Sequence, residues 1–557
     1  MQVDEDIVRN LFAQSFPQSI FCSRTTFVAF VLYPLDGKAQ NYSNLFQKLG
    51  ELMPEFARKL ASERPDEIAI QDEWRQMTWS DVDDTLNRVA NGLQTADLGA
   101  ARRIAVFAEN AVETAMANLG GLIGGASVVP VNFHLTADEV AYILEDAGVQ
   151  LVFADGKTVE RAVDAAAQAK VSQVIAWSTE HADVTRFDAW LGQQSDQPCD
   201  ETVSPQPNLL YTSGTTGRPK GTELPPTMFA GGETVAEHLA NLAADPRTEQ
   251  GRHLVVGPMY HTGPLSGARL LAGGVSSVIL GRFDAEKTLK AIEQHKIGNS
   301  IMVPTHFVRM LGLPDEVKQK YDLSSLIQIS HTGAKCPVDV KRAMIEWFGP
   351  VFMDAYGASE VGTTCAITSE EWLQHPGSVG QAREPFTAMI LDDDGNELGP
   401  NEEGRLFFHD ATGRGVVYHN DPEKSAAAHI RPGVFTLGEI AYMNEEGYVF
   451  ITDRFSDMVV SGGVNLYPAE AEQVLIEHPA ILDVACIGVP HPEMGEELKA
   501  LAIASEKPVD SNEVLEWCRA HLSHYKCPRS LDWVDDLGRN TMGKINKRKL
   551  RAPYWTE

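Results

Sequence analysis

Long apolar runs are missing from this chain of 557 residues. Its most apolar N-terminal stretch, Phe27 to Tyr33, falls well short of the roughly 20 residues that a membrane-spanning helix needs. Asp4, Glu5 and Asp6 stand where a signal peptide would carry basic residues. Positive charge is also scarce: 47 lysines and arginines face 77 aspartates and glutamates, a formal net charge of -30. A field of that sign repels nucleic acid and anionic membranes. Any nucleotide site must then be built from backbone donors and a few well-placed cations. Cysteine is sparse as well. The seven present (Cys22, Cys199, Cys336, Cys365, Cys486, Cys518, Cys527) form no CxxC pair and no metal-ligand spacing, the usage expected of reduced thiols in a cytoplasmic protein. Low-complexity tracts and internal repeats are absent too.

What remains is a chain with 43% apolar residues, long enough for at least two domains because single cores stop growing near ~250 to 300 residues. An amphipathic pattern (Leu49, Leu52, Phe56, Leu60), a short strand at Ile68 to Ile70 and a helix from Ser80 to Leu93 come first. β-rich runs at Ile104 to Ala108, Ser127 to Val131 and Leu151 to Ala154 then alternate with helical stretches at 111–123, 136–147 and 159–169, a pattern that predicts a parallel, helix-flanked sheet. A second such cycle follows at Leu254 to Val256, Ser277 to Leu280, Ser300 to Val303 and Ile327 to Ser330, with a helix from Ala285 to His295. From about 385 short strands and Asp/Gly/Asn turns predict a β-rich lobe. The last hundred residues read as a small α+β domain, with helices at Pro468 to His478 and Asn512 to Leu522 and strands at Ile481 to Val489 and Ala500 to Ala504. The polar cluster Asp453 to Asp457 is the expected junction.

Two segments stand out chemically. In Tyr211-Thr212-Ser213-Gly214-Thr215-Thr216-Gly217-Arg218-Pro219-Lys220-Gly221 the glycines permit close backbone approach and the four hydroxyls supply donors, so the segment can wrap a polyphosphate while Lys220 neutralises an oxygen. Pro219-Lys220-Gly221 departs from the Gly-Lys-Ser/Thr of a Walker loop. A bare Gly/Ser/Thr/Pro cluster is ordinarily a surface loop, and only the complete string argues otherwise. In Tyr356-Gly357-Ala358-Ser359-Glu360 a carboxylate can ligate Mg²⁺ on ATP phosphates, a tyrosine ring can lie against adenine, and Ser359 can bond a phosphate or an acyl carboxylate.

The first string resembles the phosphate loop of the adenylate-forming superfamily: acyl-CoA synthetases, firefly luciferases and nonribosomal-peptide adenylation domains. The second resembles its Tyr-Gly-x-Thr-Glu motif, with Ser359 for threonine. Phe435-Thr436-Leu437-Gly438-Glu439 is similar to the segment whose aspartate chelates the ribose hydroxyls, here with the longer Glu439. Asp453-Arg454-Phe455-Ser456-Asp457 resembles the hinge motif, so that Arg454 contacts the nucleotide and Ser456, where relatives commonly carry Asp or Lys, is the pivot. Ser461-Gly462-Gly463 would line the path of pantetheine, although a plain hairpin turn has the same composition. Asn540-Thr541-Met542-Gly543-Lys544 resembles the closing motif whose lysine enters the site during adenylation. Pro258 to Gly263 is similar to the segment whose histidine, here His261, gates the acyl pocket. Thr332-Gly333-Ala334-Lys335 resembles the loop between adenine and the acyl tunnel, to which Thr305 is also assigned.

The resemblance spans about residues 46 to 552 with its motifs in the family's order. It implies an α/β fold: a large N-terminal domain (46–453) of two α/β sheets plus a β-rich lobe, and a small mobile α+β C-terminal domain (454–557), after an N-terminal extension (1–45) of unread role. It also implies ATP-dependent activation of a carboxylic acid to an acyl-adenylate, then transfer to coenzyme A, with Mg²⁺ on Glu360. Thr212, Ser359, Glu360 and Lys544 are the implied catalytic set. The matching position at His261 lacks the aspartate that amino-acid adenylation domains use, which points to a small-molecule acid without an α-ammonium, fatty or bulky alicyclic or steroid side-chain. A homodimer is the assembly the resemblance allows. A luciferase-type oxygenase would share these motifs, and the departures at Glu439 and Ser456 leave room for a chain that only binds a preformed acyl-adenylate.

Overall fold

The computed structural model describes residues 56–212, 219–225, 231–334, 336–392, 394–454, 458–538, 545 and 547–555. The chain divides into Met1–Pro54 and Glu55–Glu557, and everything below concerns the second unit. The expectations for the first 45 residues, and for the helical pattern at Leu49 and Leu52, lie outside the described residues.

The first α/β cycle forms a five-stranded sheet in the spatial order Ser127–Pro130, Arg103–Phe107, Leu151–Asp155, Gln173–Trp177, Thr185–Arg186, parallel throughout. Every residue of Ser127–Pro130 and Leu151–Asp155 is buried, because helices such as Val112–Ile123 and Val159–Ala169 pack on the sheet. Burial on both faces is why these strands read as continuous apolar runs rather than alternating ones. The helices start where short polar side chains can cap them: Thr78 with Asp81 and Thr136 with Glu139 form capping boxes ahead of Trp79–Thr95 and Ala137–Ala147.

The second cycle lies in a nine-stranded sheet. Its parallel centre runs Phe352–Ala358, Gln328–His331, Ile297–Met302, Arg252–Val255, Ser277–Ile279, Ile68–Gln71. Gly362–Thr368 and Gln76–Thr78 add antiparallel neighbours at either side. The early strand Ile68–Gln71 thus belongs to this later sheet, with Ile70 opposite Ser277. A six-stranded antiparallel lobe holds Phe386–Leu391, Gly404–Asp410, Glu439–Met443 and Val449–Arg454. A last sheet is built on Ile481–His491 and Gly495–Ala504, with helices Pro468–Leu475 and Ser511–His521 packed on it through Leu475, Val484, Val514 and Cys518. Among the described residues no helix is long and apolar enough to cross a membrane, and six cysteines are free and buried.

Candidate active site

The carboxyl ends of neighbouring parallel strands are where an open α/β sheet exposes loops in one crevice. Here Gly257 to His261 follow Arg252–Val255, Val303 to Thr305 follow Ile297–Met302, and Thr332 to Ala334 follow Gln328–His331. Tyr356 to Glu360 close Phe352–Ala358. All of these segments line one cavity of about 1840 Å³. A small-molecule pocket usually encloses ~300 to 1,000 Å³, so this one has room for more than one ligand at once.

At one end of the cavity Leu209–Thr212 and Lys220–Glu223 form an antiparallel pair with Thr212 opposite Lys220. Lys220 Nζ lies 3.0 Å from Asp421 Oδ2. Asp421 caps the short helix Pro422–Ala427, which carries Lys424. Lys424 sits 4.0 Å from the centre of the Tyr418 ring. Burial and the neighbouring Lys220 bring its amine down to about 8, against the pull of Glu360 and Asp421. The Tyr418 hydroxyl donates to Glu360 Oε1 at 3.4 Å, and burial raises the Glu360 carboxyl above its ordinary range. Lys424 lines this cavity, and Lys220 stands close enough to it to lower its amine. Lys220 is prominent in the sequence and Lys424 is not: Asp421-Pro422 signals a helix start, and nothing there signals a side chain on this cavity.

Among the described residues no cluster of three or more His, Cys, Asp or Glu side chains could cage a metal. Glu360 alone suits a Mg²⁺ ion that keeps waters and takes its other ligands from phosphates, the usual habit of that ion. A cation at this site would also relieve the cost that burial imposes on the carboxylate.

On the nucleotide side Tyr356 and Gly357 lie where Phe352–Ala358 turns back into Gly362–Thr368. A side chain at Gly357 would place its Cβ 1.9 Å from the carbonyl oxygen of Gly362, so only glycine lets the two strands approach. Glu439 is buried at the start of its strand, in register with Arg454. Asp354, two residues before Tyr356, also lines the cavity and is held from behind by Lys341 Nζ at 3.0 Å. Asp354 was not among the residues singled out from the sequence, because a carboxylate inside a strand reads as a lone core charge until its partner is known.

On the far side of the cavity His261 stands just before the helix Thr262–Arg269 with no side-chain capping bond, and burial with His134 nearby lowers its imidazole to about 4, so it is neutral at pH 7. Thr262 Oγ1 donates to Ser359 Oγ at 3.3 Å, tying this helix to the Tyr356 to Glu360 segment. Ser461, Gly462 and Gly463 do form a hairpin turn, between Val459–Ser461 and Val464–Leu466, with φ of +59° and +83° at the two glycines. The turn also abuts the pocket. A Cβ on Gly463 would lie 2.9 Å from Val303 Cγ1, one on Gly462 would lie 3.6 Å from Thr305 Oγ1, and one on Gly333 would lie 3.6 Å from the Gly463 carbonyl oxygen. Lys526, from the same last sheet region, places Nζ 2.7 Å from Glu139 Oε1 and 2.7 Å from Glu470 Oε2.

Thr305, Gly333, Ala334, Tyr356, Gly357, Ser359, Glu360, Glu439, His261, Gly462 and Gly463 therefore line one cavity or, for Thr305, abut it, with Ser461 buried beside the turn. Ser213 to Gly217, Ser456 and Lys544 lie outside the described residues, and of Thr212 and Arg454 only the backbone is described.

An α/β crevice lined by Glu360, Lys424 and the Gly462-Gly463 turn, beside the strand pair Leu209–Thr212 and Lys220–Glu223, is the setting of an adenylate-forming enzyme with its C-terminal domain. The AMP-binding enzyme family model matches residues 57–415 and the AMP-binding enzyme C-terminal domain model matches 470–544. The chain belongs to the AMP-binding enzyme family. It is 32% identical to a (7a-methyl-1,5-dioxo-octahydro-1H-inden-4-yl)propanoyl:CoA ligase of Mycobacterium tuberculosis, over 90% of this chain and 98% of the relative. It is 29% identical to an indoleacetate–CoA ligase of Aromatoleum aromaticum, over 90% and 97% respectively. Among solved structures, an amide bond synthetase from Marinactinospora thermotolerans has the same fold, with a TM-score of 0.77 at 23% identity, covering 90% of this chain and all (100%) of that one.

Proposed function

We propose that this enzyme couples a carboxylic acid to coenzyme A by way of an acyl-adenylate, releasing AMP and pyrophosphate. The observation that carries this reading is the convergence on one cavity of Tyr211 and Pro219 at the strand pair, Glu360, His261 and the Gly462-Gly463 turn. In the first step a carboxylate oxygen attacks the α-phosphorus of ATP, and the bond to the bridging β-phosphate oxygen breaks with loss of pyrophosphate. Lys220 and Lys424 oppose the phosphate charge, Ser359 and Thr262 orient the acid, and Lys544 stabilises the charge that builds at the α-phosphate. Mg²⁺, carried in with the nucleotide and held at Glu360, would neutralise phosphate oxygens. In the second step the thiol loses its proton to solvent, sulfur attacks the acyl carbonyl, and the bond to AMP oxygen breaks. The Gly462-Gly463 turn leaves the narrow backbone passage a pantetheine arm needs, and a turn about Ser456 exchanges the two arrangements.

The acid is a bulky one without an ammonium anchor: no carboxylate stands at His261, and the relatives named above act on ring-bearing acids. Lys544→Ala tests the division of labour. It should cut acid-dependent pyrophosphate release by about 100-fold or more while sparing thioester formation from synthetic acyl-adenylate. Equal loss in both half-reactions would remove Lys544 from the role.

A further inference from the structure

The deep wall of the acyl pocket carries hydrogen-bonding groups that neither half-reaction uses. The helix Thr262–Arg269 leads away from the reacting end, where Thr262 meets Ser359. One turn further, ~6 Å along its axis, Ser266 faces the same cavity. Its hydroxyl donates to the Gly263 carbonyl at 2.9 Å and accepts from Arg247 Nη1 at 3.3 Å. Arg247 lines the cavity too, and Asp245 grips it through Nε at 3.0 and 3.2 Å and Nη2 at 2.7 Å. A guanidinium has five N–H bonds. These contacts leave one hydrogen on each terminal nitrogen without a protein acceptor among the described residues.

Beside that helix, a Cβ on Gly263 would lie 3.2 Å from Ile301 Cγ2, and Ile301 stands in register with Ser330 on the next strand. Ser330 Oγ accepts from Gln328 Nε2 at 3.1 Å and donates to no described residue. Gln328 in turn accepts from Gln250 at 3.1 Å, three residues from Arg247, so the two walls belong to one polar end. Toward the cavity its free capacity is donor, N–H of Arg247 and O–H of Ser330, while the unpartnered Gln250 Oε1 is buried off the cavity lining. Its charge is balanced, since Asp245 already neutralises Arg247. A second carboxylate would meet Asp245, and a plain alkyl end would leave these donors without a partner.

Resting on the acid-activation reading above, we propose that the substrate carries an uncharged acceptor oxygen, an oxo group, at least ~6 Å from its carboxylate, seated between Arg247 and Ser330. The test uses the full chain with ATP, Mg²⁺ and coenzyme A and three acids of matched length: an alkanoate, the same chain with a ketone near its far end, and the corresponding dicarboxylate. Pyrophosphate release gives kcat/KM, and calorimetry gives binding of each acid without chemistry. The oxo acid should exceed the alkanoate by about 10- to 100-fold in both readouts, with the dicarboxylate lowest. Arg247→Met should erase that preference, lowering the oxo acid and removing the donors that disfavour the alkanoate, and Ser330→Ala should reduce it by about 5- to 10-fold. Equal binding of oxo acid and alkanoate, or a proportional loss of both in Arg247→Met, overturns the inference. If no acid releases pyrophosphate yet the oxo acid binds in an Arg247-dependent manner, acid activation fails and this site stands.

Discussion

Lys424 has the least settled charge in the site: burial and Lys220 have taken its amine from 10.5 to about 8. Its ammonium form is complete below that value and lost above it. Phosphate binding favours the charged form, so nucleotide binding must take up a proton once pH exceeds 8. The KM for ATP should then be flat from pH 6.5 to 7.5 and climb toward tenfold per unit above about 8. Lys424→Met should show a KM raised about 10-fold at pH 7 and no such climb. An unchanged slope in that variant would place the titrating group elsewhere. Glu360 was legible in the sequence because its neighbours Tyr356, Gly357 and Ser359 are contiguous with it. Lys424 was not, since what brings it to notice is its place in the cavity and its proximity to Lys220, 204 positions away in the chain.

At the scale of elements, the Gly462-Gly463 turn joins local conformation to a contact across the pocket. Alanine at 463 meets two obstacles: φ of +83°, which costs a residue with a Cβ ~1 kcal/mol or more, and Val303 at 2.9 Å. Gly463→Ala should push the turn off the pocket, slowing thioester formation from acyl-adenylate by about 10-fold or more and leaving pyrophosphate release near wild type. A uniform loss in both steps would make the turn merely structural. The same scale shows what sequence can and cannot disclose. The helix expected at Ala285 to His295 is found with those bounds, because Asp284 caps its start and its apolar positions Leu289 and Ile292 face inward. The strand at Ile68 was equally readable, but its sheet was not: its partner Ser277 is far away in sequence, and period-2 patterning carries no information about partners.

For the whole molecule, Lys526 is a buried cation that bonds the helix Ala137–Ala147 to the helix Pro468–Leu475, with Glu470 buried as deeply beside it. Burial works against its ammonium, but Glu470 and Glu139 outweigh it and hold it charged above the ordinary lysine range. Lys526→Met would leave two carboxylates facing each other, and breaking such a buried pair costs ~3 to 5 kcal/mol. Because Glu139 belongs to the helix Ala137–Ala147 and Glu470 to Pro468–Leu475, the loss should fall on the contact between them. Thioester formation should drop by about 100-fold or more while adenylation is retained, with Lys526→Arg restoring part of it. Loss of both activities in step with unfolding would make Lys526 a folding residue only.

The central claim is activation of an acid through its adenylate, and the nucleotide product decides it. Purified full-length protein is incubated with Mg²⁺, ATP, coenzyme A and a panel of alkyl, oxo and ring-bearing acids, and the nucleotides are separated and quantified. The account predicts AMP and pyrophosphate in equal amounts, formed only when an acid is present and matched by acyl-CoA. Stoichiometric ADP with inorganic phosphate, or nucleotide turnover that ignores the acid, would contradict it.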